Sequence, residues 1–178
     1  FRAHGSFWAN EVLHKGGRDF VIVLAVAALC CALLGRLSPV RYPTLHRQAG
    51  TIIGAVVGMG LTVLLVGVFK RYSHMDCPWD LVAYGGKDPY VSLFARRPTG
   101  LPSGGCFPAA HAATGYALFS LFFAFRETHP RLGRFALGAA LLLGVSFGVA
   151  QQLRGAHFLS HDVWSAYLAW MTGLFSQR

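Results

Sequence analysis

Five long apolar segments, separated by short polar loops, constrain this chain more than any other feature of its sequence. They cover approximately residues 19–37, 48–69, 109–125, 132–153 and 161–175. A helix needs about 20 apolar residues to cross a bilayer. The chain as a whole is 54% hydrophobic and only 13% charged, which excludes an ordinary soluble domain. We therefore predict an all-α fold, a polytopic transmembrane helix bundle with five spanning helices.

The bundle is predicted to form a single integral-membrane domain over residues 1–178. Glycine and other small residues recur in its second and fourth segments, as in GAVVGMG and GAALLLG. This composition lets membrane helices pack closely against one another. Because the sequence begins at Phe1 without a methionine, we expect a sixth helix upstream.

The basic residues predict which side of the membrane each loop occupies. The loop between the first two segments carries Arg36, Arg41 and Arg47, and the loop after the third carries three further arginines. Short loops rich in Lys and Arg stay in the cytoplasm. Residues 1–18, the loop 70–108 and the turn 154–160 are then expected on the opposite side. In a bacterial inner membrane that side faces the periplasm.

The net charge of +9 also narrows the choice of partners. The basic residues punctuate apolar segments and do not form a run on a soluble scaffold, so nucleic acid is not expected. Anionic lipid head groups or a phosphate-bearing substrate fit this distribution better. A second membrane protein or a second copy of the chain is a further candidate partner.

The outward loop 70–108 contains Cys77 and Cys106, one near each end. A disulfide between them is expected on an oxidising outer face. Two free thiols, or metal ligation together with nearby histidines, are the alternatives. The other two cysteines, Cys30 and Cys31, lie inside the first apolar segment.

Ionisable side chains, which are energetically costly in a membrane, cluster on the predicted outer face, at the ends of the apolar segments and in the outward loop. The stretch RGAHFLSHDVW, which joins the fourth segment to the fifth, is the densest part. Ionisable residues in such places are typical of sites that bind substrates or transfer protons. The candidate residues are Lys70, Arg71, Arg97, His111, Arg154, His157, His161 and Asp162.

Several of these residues also have ordinary structural interpretations. His111 falls in the first turn of a predicted helix, where it either hydrogen-bonds to the loop or donates a proton beside a bound phosphate. His157 and His161 are four residues apart, a spacing found in zinc sites, but two histidines make only half of such a site. If Ser160 caps the last helix, His157 precedes that helix and His161 begins it. Arg154 is alternatively a helix-end residue that reaches towards the interface.

The outer-face motifs resemble those of the type 2 phosphatidic-acid phosphatase superfamily, membrane enzymes with the motifs K-x6-R-P, P-S-G-H and S-R-x5-H-x3-D. The first motif corresponds to KRYSHMDCP, in which Lys70 and Pro78 match and Cys77 replaces the arginine. The second corresponds to PAAH, in which Pro108 and His111 are kept. The resemblance extends from Lys70 to the end of the chain.

The third motif departs furthest from the family pattern. It corresponds to AQQLRGAHFLSH, where His157 matches, Gln151 stands at the arginine position and His161 at the aspartate position. The sequence motifs CPWDL, CFPAxHA and QxxRGAHFLSH are similar to those of a bacterial subgroup of the family. The two histidines in register are the more specific part of the resemblance.

The resemblance implies hydrolysis of a phosphate ester without a metal or another cofactor. His157 would attack phosphorus and form a phosphohistidine, while His111 would protonate the leaving oxygen. His161 takes the position of the family's orienting aspartate, and its neighbour Asp162 is the alternative.

The phosphate oxygens would be held by cations near these histidines. Lys70 supplies one, and Arg154, one turn from the missing arginine, supplies another. Arg71 and Arg97 are further candidates.

Lipid A phosphates, undecaprenyl diphosphate, phosphatidylglycerol phosphate and phosphatidic acid are the candidate substrates, with transfer to another acceptor as an alternative to hydrolysis. Two other classes compete with a lipid phosphatase. A catalytically silent membrane subunit would keep the fold and bind a lipid or protein partner. A zinc-dependent membrane hydrolase would need a third protein ligand near His157 and His161.

Overall fold

A computed structural model of the protein describes residues 16–177, and within them the fold is all helical, with no β-strand. The long connection between the second and third helices holds two 3-10 turns, Pro78–Asp80 and Val82–Tyr84. The helices are α1 Gly17–Leu37, α2 Pro43–Ser73, α3 Ala110–Tyr116, α4 Phe119–Phe125, α5 Pro130–Leu153 and α6 Leu159–Ser176. The predicted all-α fold is therefore confirmed.

Three helices in the described part of the chain are long and apolar enough to cross a membrane: α1, α2 and α5. They make this a membrane protein. The apolar stretch Ala110–Phe125 is shorter than these spans. Helix α6 has 18 residues, and the polar pair His161 and Asp162 in its first turn lowers its hydropathy. The count of five spanning helices accordingly stays a prediction.

The third apolar segment is not one regular helix, as the sequence predicted, but two short ones, α3 and α4. Between them the backbone changes to the tighter i→i−3 pattern, with Leu118 N–H donating to Gly115 at 3.3 Å and Ser120 N–H to Ala117 at 3.1 Å. Gly115 also packs directly on α5. A Cβ at this position would lie 2.5 Å from the backbone nitrogen of Gly144, so only glycine allows this approach.

Helices α3 and α4 run through the centre of the bundle and carry much of its core, including the buried Tyr116, Phe119 and Phe123. Beside them α2 and α6 meet through a buried hydroxyl pair, Thr62 and Thr172, whose Oγ1 atoms are 2.6 Å apart. Large apolar side chains on α1, α2 and α5 instead cover the outside of the bundle. Such a surface is suited to lipid.

The loops gather at two opposite ends of the bundle. At one end the two basic loops meet, where Gln48 Nε2 lies 3.3 Å from His129 Nε2. At the other end the 74–109 connection meets the turn between α5 and α6, with Trp79 N–H donating to the Gly155 carbonyl at 3.0 Å. The predicted grouping of the loops is therefore seen for the described residues. The same prediction for residues 1–15 lies outside them.

Candidate active site at the histidine end of the bundle

His157 and His161 lie against each other where α5 turns into α6. Helix α6 begins at Leu159 with Phe158 as its N-cap, two residues earlier than a Ser160 cap would give. His157 therefore precedes the helix and His161 sits in its first turn. Their Nδ1 atoms are 3.5 Å apart, and the side chains are 7% and 0% exposed. Two imidazoles are thus held together in a nearly dry environment.

The backbone of Cys106 fixes both imidazoles, since it hydrogen-bonds with His157 and with His161. Cys106 is in turn disulfide-bonded to Cys77, with their Cα atoms 5.2 Å apart, the pair that the sequence suggested. Its N–H also donates to the Met75 carbonyl at 2.9 Å. The end of α2, the outward loop and the histidine turn are consequently tied together at one residue.

His111 approaches the pair from the start of α3. Its side chain is 6% exposed, and its ring lies 4.6 Å from that of Phe147, centroid to centroid. The N–H of Ala109 donates to the carbonyl of His161 at 3.3 Å, and Ser165 Oγ donates to the carbonyl of Ala109 at 3.0 Å. The first turns of α3 and α6 are therefore locked together, and His111 and His157 are close enough to interact electrostatically.

Lys70 and Arg154 are the two cations to consider for this site. Lys70, in the last turn of α2, acts electrostatically on both His157 and His161. Arg154 Nη1 donates to Oε1 of Gln151 at 3.0 Å, and Gln151 is only 3% exposed. Among the described residues, Arg154 Nε is buried without a hydrogen-bond partner. A buried donor of this kind is one that an anion would satisfy.

Arg97 and Arg71 are the other cations predicted for the site. The guanidinium of Arg97 forms an ion pair with Asp76 at 2.6 Å and donates to the carbonyls of His74 and Pro102. Its N–H groups therefore hold the outward loop together. Arg71 is exposed in the last turn of α2.

Asp162 follows His161 in sequence, and its side chain contacts α5. Its carboxylate accepts a hydrogen bond from Gln152 on α5. A Cβ at Gly148, also on α5, would lie 2.7 Å from Asp162 Oδ2. Asp162 thus packs into the α5–α6 contact, and of the two neighbours it is His161 that lies beside His157.

Burial decides the protonation state of His157. Burial first, and the positive charge of Lys70 second, lower the pKa of the imidazole from its ordinary value of 6.5 to about 3, although the hydrogen bond with Cys106 opposes the shift. His157 is therefore neutral at physiological pH. A neutral imidazole next to a cation keeps its lone pair available for attack on an electron-poor centre.

Within residues 16–177 no group of three or more His, Cys, Asp or Glu side chains is arranged to hold a metal ion. That part of the chain offers His157 and His161 no third ligand of the kind that a zinc site requires.

Sequence reasoning missed two parts of the site. The backbone of Cys106 leaves no side-chain signal, and the cysteine suggested only a disulfide. The contact of Gln151 with Arg154 was detectable only as a spacing of three residues on one helix.

Comparison with known proteins gives one match. A family model described as PAP2 superfamily matches residues 51–178, a range that contains α3 to α6, the outward loop and every candidate site residue. No curated protein and no solved structure gave a significant match.

Proposed function

Because this chain belongs to the PAP2 superfamily, we propose that it hydrolyses a lipid phosphate ester through a phosphohistidine formed on His157. Members of this superfamily are generally phosphatases, so a hydrolase of phosphate esters is the coarse function. The lipid nature of the substrate, the covalent intermediate and the independence from metal are our proposal. Transfer of the phosphoryl group to an acceptor other than water would use the same intermediate.

The observation that carries the proposal is the meeting of four groups from four parts of the chain. Lys70 comes from α2, His111 from α3, His157 from the α5–α6 turn and His161 from α6. The first two act electrostatically on His157, and His161 contacts it. A silent subunit has no need to bring such groups together. Phosphoryl transfer needs a nucleophile, an acid and a cation around one phosphate.

The chemistry of the first step follows from the surroundings of His157. Its Nδ1 faces His161, so Nε2 is the atom left to attack phosphorus. The new N–P bond forms as the P–O bond to the leaving alcohol breaks, and His111 gives its proton to that oxygen. His161 and the Cys106 backbone keep the imidazole of His157 from turning.

The second step returns the enzyme to its starting state. Water attacks phosphorus, the N–P bond breaks, and the lone pair returns to Nε2 of His157. His111, now neutral, accepts the proton of the attacking water, as microscopic reversibility requires. Inorganic phosphate leaves and His111 is again protonated.

Lys70 and Arg154 are the residues that we assign to the phosphate oxygens. Lys70 acts electrostatically on both imidazoles, and Arg154 begins the turn that carries His157. A cation in a water-poor site stabilises developing charge more strongly than a cation in water does. Arg97 is left out because Asp76 already pairs with its guanidinium. Gln151 holds Arg154 in place, which gives a physical reason for a neutral residue at the position where the family motif has arginine.

Replacing Arg154 by alanine is expected to lower kcat/KM by about 100-fold, because one phosphate cation is lost. Arg154→Lys keeps the positive charge but not the planar guanidinium that can donate two parallel hydrogen bonds, so an intermediate loss of kcat/KM is expected. Gln151→Ala should cost about tenfold in the wild type and almost nothing beside Arg154→Ala, because the two residues act as a unit. Steady-state kinetics of all four combinations measure this coupling, and additive losses would contradict it.

Reducing the Cys77–Cys106 disulfide is expected to lower kcat/KM by about 100-fold, since displacement of Cys106 releases both imidazoles. The paired variant Cys77→Ser/Cys106→Ser should behave like the reduced protein. The matched control is Cys30→Ser/Cys31→Ser, which changes two unpaired cysteines of α1. Unchanged turnover after reduction, verified by thiol counting, would show that the disulfide does not position the histidines.

The depressed pKa of His157 predicts an unusual pH profile. Nucleophilic attack needs the neutral imidazole, and activity is lost only as the pH falls through the pKa of the folded protein, about 3. The acid limb of kcat/KM, corrected for titration of the substrate, should therefore lie well below the ordinary histidine value of about 6.5. An acid limb of kcat/KM near that ordinary value would contradict the assignment, provided that control measurements show that neither His111 nor the substrate causes it.

The proposed site lies at the end of the bundle opposite the two basic loops. If these loops are cytoplasmic, as the positive-inside rule predicts, the site faces the periplasm from a bacterial inner membrane. A disulfide in the outward loop agrees with that compartment.

The test is release of inorganic phosphate from a panel of lipid phosphates by the purified full-length protein, with and without EDTA. We expect release that EDTA leaves unchanged. Release abolished by EDTA and restored by zinc would favour a zinc hydrolase. Absence of release from every lipid by folded protein would favour a silent subunit.

A further inference from the structure

An apolar cavity of about 260 Å³ lies beside the histidines, between α2, α6 and the outward loop. The mechanism proposed above does not use it. The side chains that matter for its shape are Phe69, Tyr72, Leu93, Phe107, Trp164 and Leu168.

The cavity and the histidine cluster share one wall, the ring of Phe107. This ring lies edge-on to that of His161, with centroids 5.3 Å apart, and also edge-on to that of Trp164 at 6.1 Å. Ser73 Oγ donates to the Phe107 carbonyl at 2.8 Å, which fixes the wall to α2. Lys70 follows the cavity residue Phe69 directly in the chain. A cationic site and an apolar cavity are therefore immediate neighbours.

We propose that this cavity binds the hydrocarbon segment next to the phosphate of the substrate, and so favours membrane amphiphiles over phosphate esters without a chain. The inference rests on the function proposed above. A molecule that fits both halves has an anionic head for Lys70 and an apolar chain for the cavity. Tyr72 and Trp164, at the cavity, are 71% and 47% exposed. Because they lie on the flank of the α2–α6 pair, the chain would enter from the lipid.

The size of the cavity limits what it can hold. Sites for drug-sized ligands measure about 300–1,000 Å³, and this one falls below that range. It therefore takes part of one alkyl or isoprenyl chain, while the rest of the lipid stays in the bilayer. Transfer of methylenes from water predicts about fourfold tighter binding for each one that enters, until the cavity is full.

Binding of a series of alkylphosphonates, from ethyl to octyl, tests this without turnover. The full-length protein in nanodiscs of fixed lipid is titrated by calorimetry, alongside Leu93→Trp, which fills the cavity. The matched control is Val163→Trp, which adds the same bulk to a residue of α6 that is 59% exposed and outside the cavity. Partition into the bilayer is the same for all three proteins.

We expect affinity to rise with chain length in the wild type and in Val163→Trp, and to be flat in Leu93→Trp. A second variant, Trp164→Ala, enlarges the cavity and should move the plateau to longer chains. Equal dependence on chain length in wild type, Leu93→Trp and Trp164→Ala would overturn the proposal.

Hydrolysis of 4-nitrophenyl phosphate separates this result from the proposed function, because that ester has no chain to fill the cavity. If 4-nitrophenyl phosphate is hydrolysed but phosphonate affinity does not depend on chain length, the protein is a phosphatase whose cavity does not bind the chain. If neither 4-nitrophenyl phosphate nor any lipid phosphate is hydrolysed, but Leu93→Trp still abolishes the dependence of binding on chain length, the cavity remains a chain site for phosphate amphiphiles and the phosphatase is excluded.

Discussion

Replacing His157 by alanine is expected to lower kcat/KM for a lipid phosphate by at least about 10⁴-fold, because the variant lacks the atom that attacks phosphorus. Lys70 and Arg154 remain, so the variant should still bind an alkylphosphonate with nearly wild-type affinity. Phosphate release and phosphonate titration, measured on the same preparation, give both quantities. Loss of turnover without loss of binding distinguishes a missing nucleophile from a collapsed site.

The matched control for this variant is His129→Ala. His129 lies at the opposite end of the bundle, where it contacts Gln48, and its removal should leave the rate unchanged. Near-wild-type turnover by a folded His157→Ala protein would assign the attack on phosphorus to another group.

Replacing His111 by alanine is expected to lower kcat/KM by about 10²–10⁴-fold for esters of ordinary alcohols, because the leaving oxygen then departs without a proton. With 4-nitrophenyl phosphate the loss should be less than about tenfold, because nitrophenolate is a stable anion that needs little protonation. The measurement compares the two substrates in one variant. This ratio isolates proton donation from any structural effect of the substitution.

A contribution of His111 to packing alone would reduce both rates equally, since the ring also contacts Phe147. His111→Gln is a useful companion, since it keeps a polar side chain but cannot donate a proton as an acid. Equal losses for both substrates in both variants would remove His111 from the role of acid.

The membrane character and the histidine site could be predicted from the sequence for identifiable reasons. Apolar segments long enough to span a bilayer are visible without any tertiary information. His111 lies at the start of one apolar helix and His157 just before another, and the basic loops predict that both are on the same side. What the sequence lacked was their approach in space, which depends on hydrogen bonds between the first turns of α3 and α6.

Other features depend on tertiary contacts that no local pattern carries. The break between α3 and α4 accompanies the contact of Gly115 with Gly144 of α5, which lies 29 positions later in the chain. The choice between His161 and Asp162 as neighbour of His157 depends on the rotation of α6 against α5, which Gln152 and Gly148 fix. The ion pair of Arg97 with Asp76 likewise joins two irregular segments of one loop.

Trapping the intermediate is the most direct test of the central claim. The full-length protein is mixed with a ³²P-labelled lipid phosphate, quenched in alkali within milliseconds and digested for mass spectrometry. We predict an acid-labile, alkali-stable phosphoryl group on the peptide that contains His157, absent from His157→Ala and accumulated in His111→Ala with a nitrophenyl ester. Labelling of a different residue, or steady turnover with no labelled peptide at any quench time, would contradict the account.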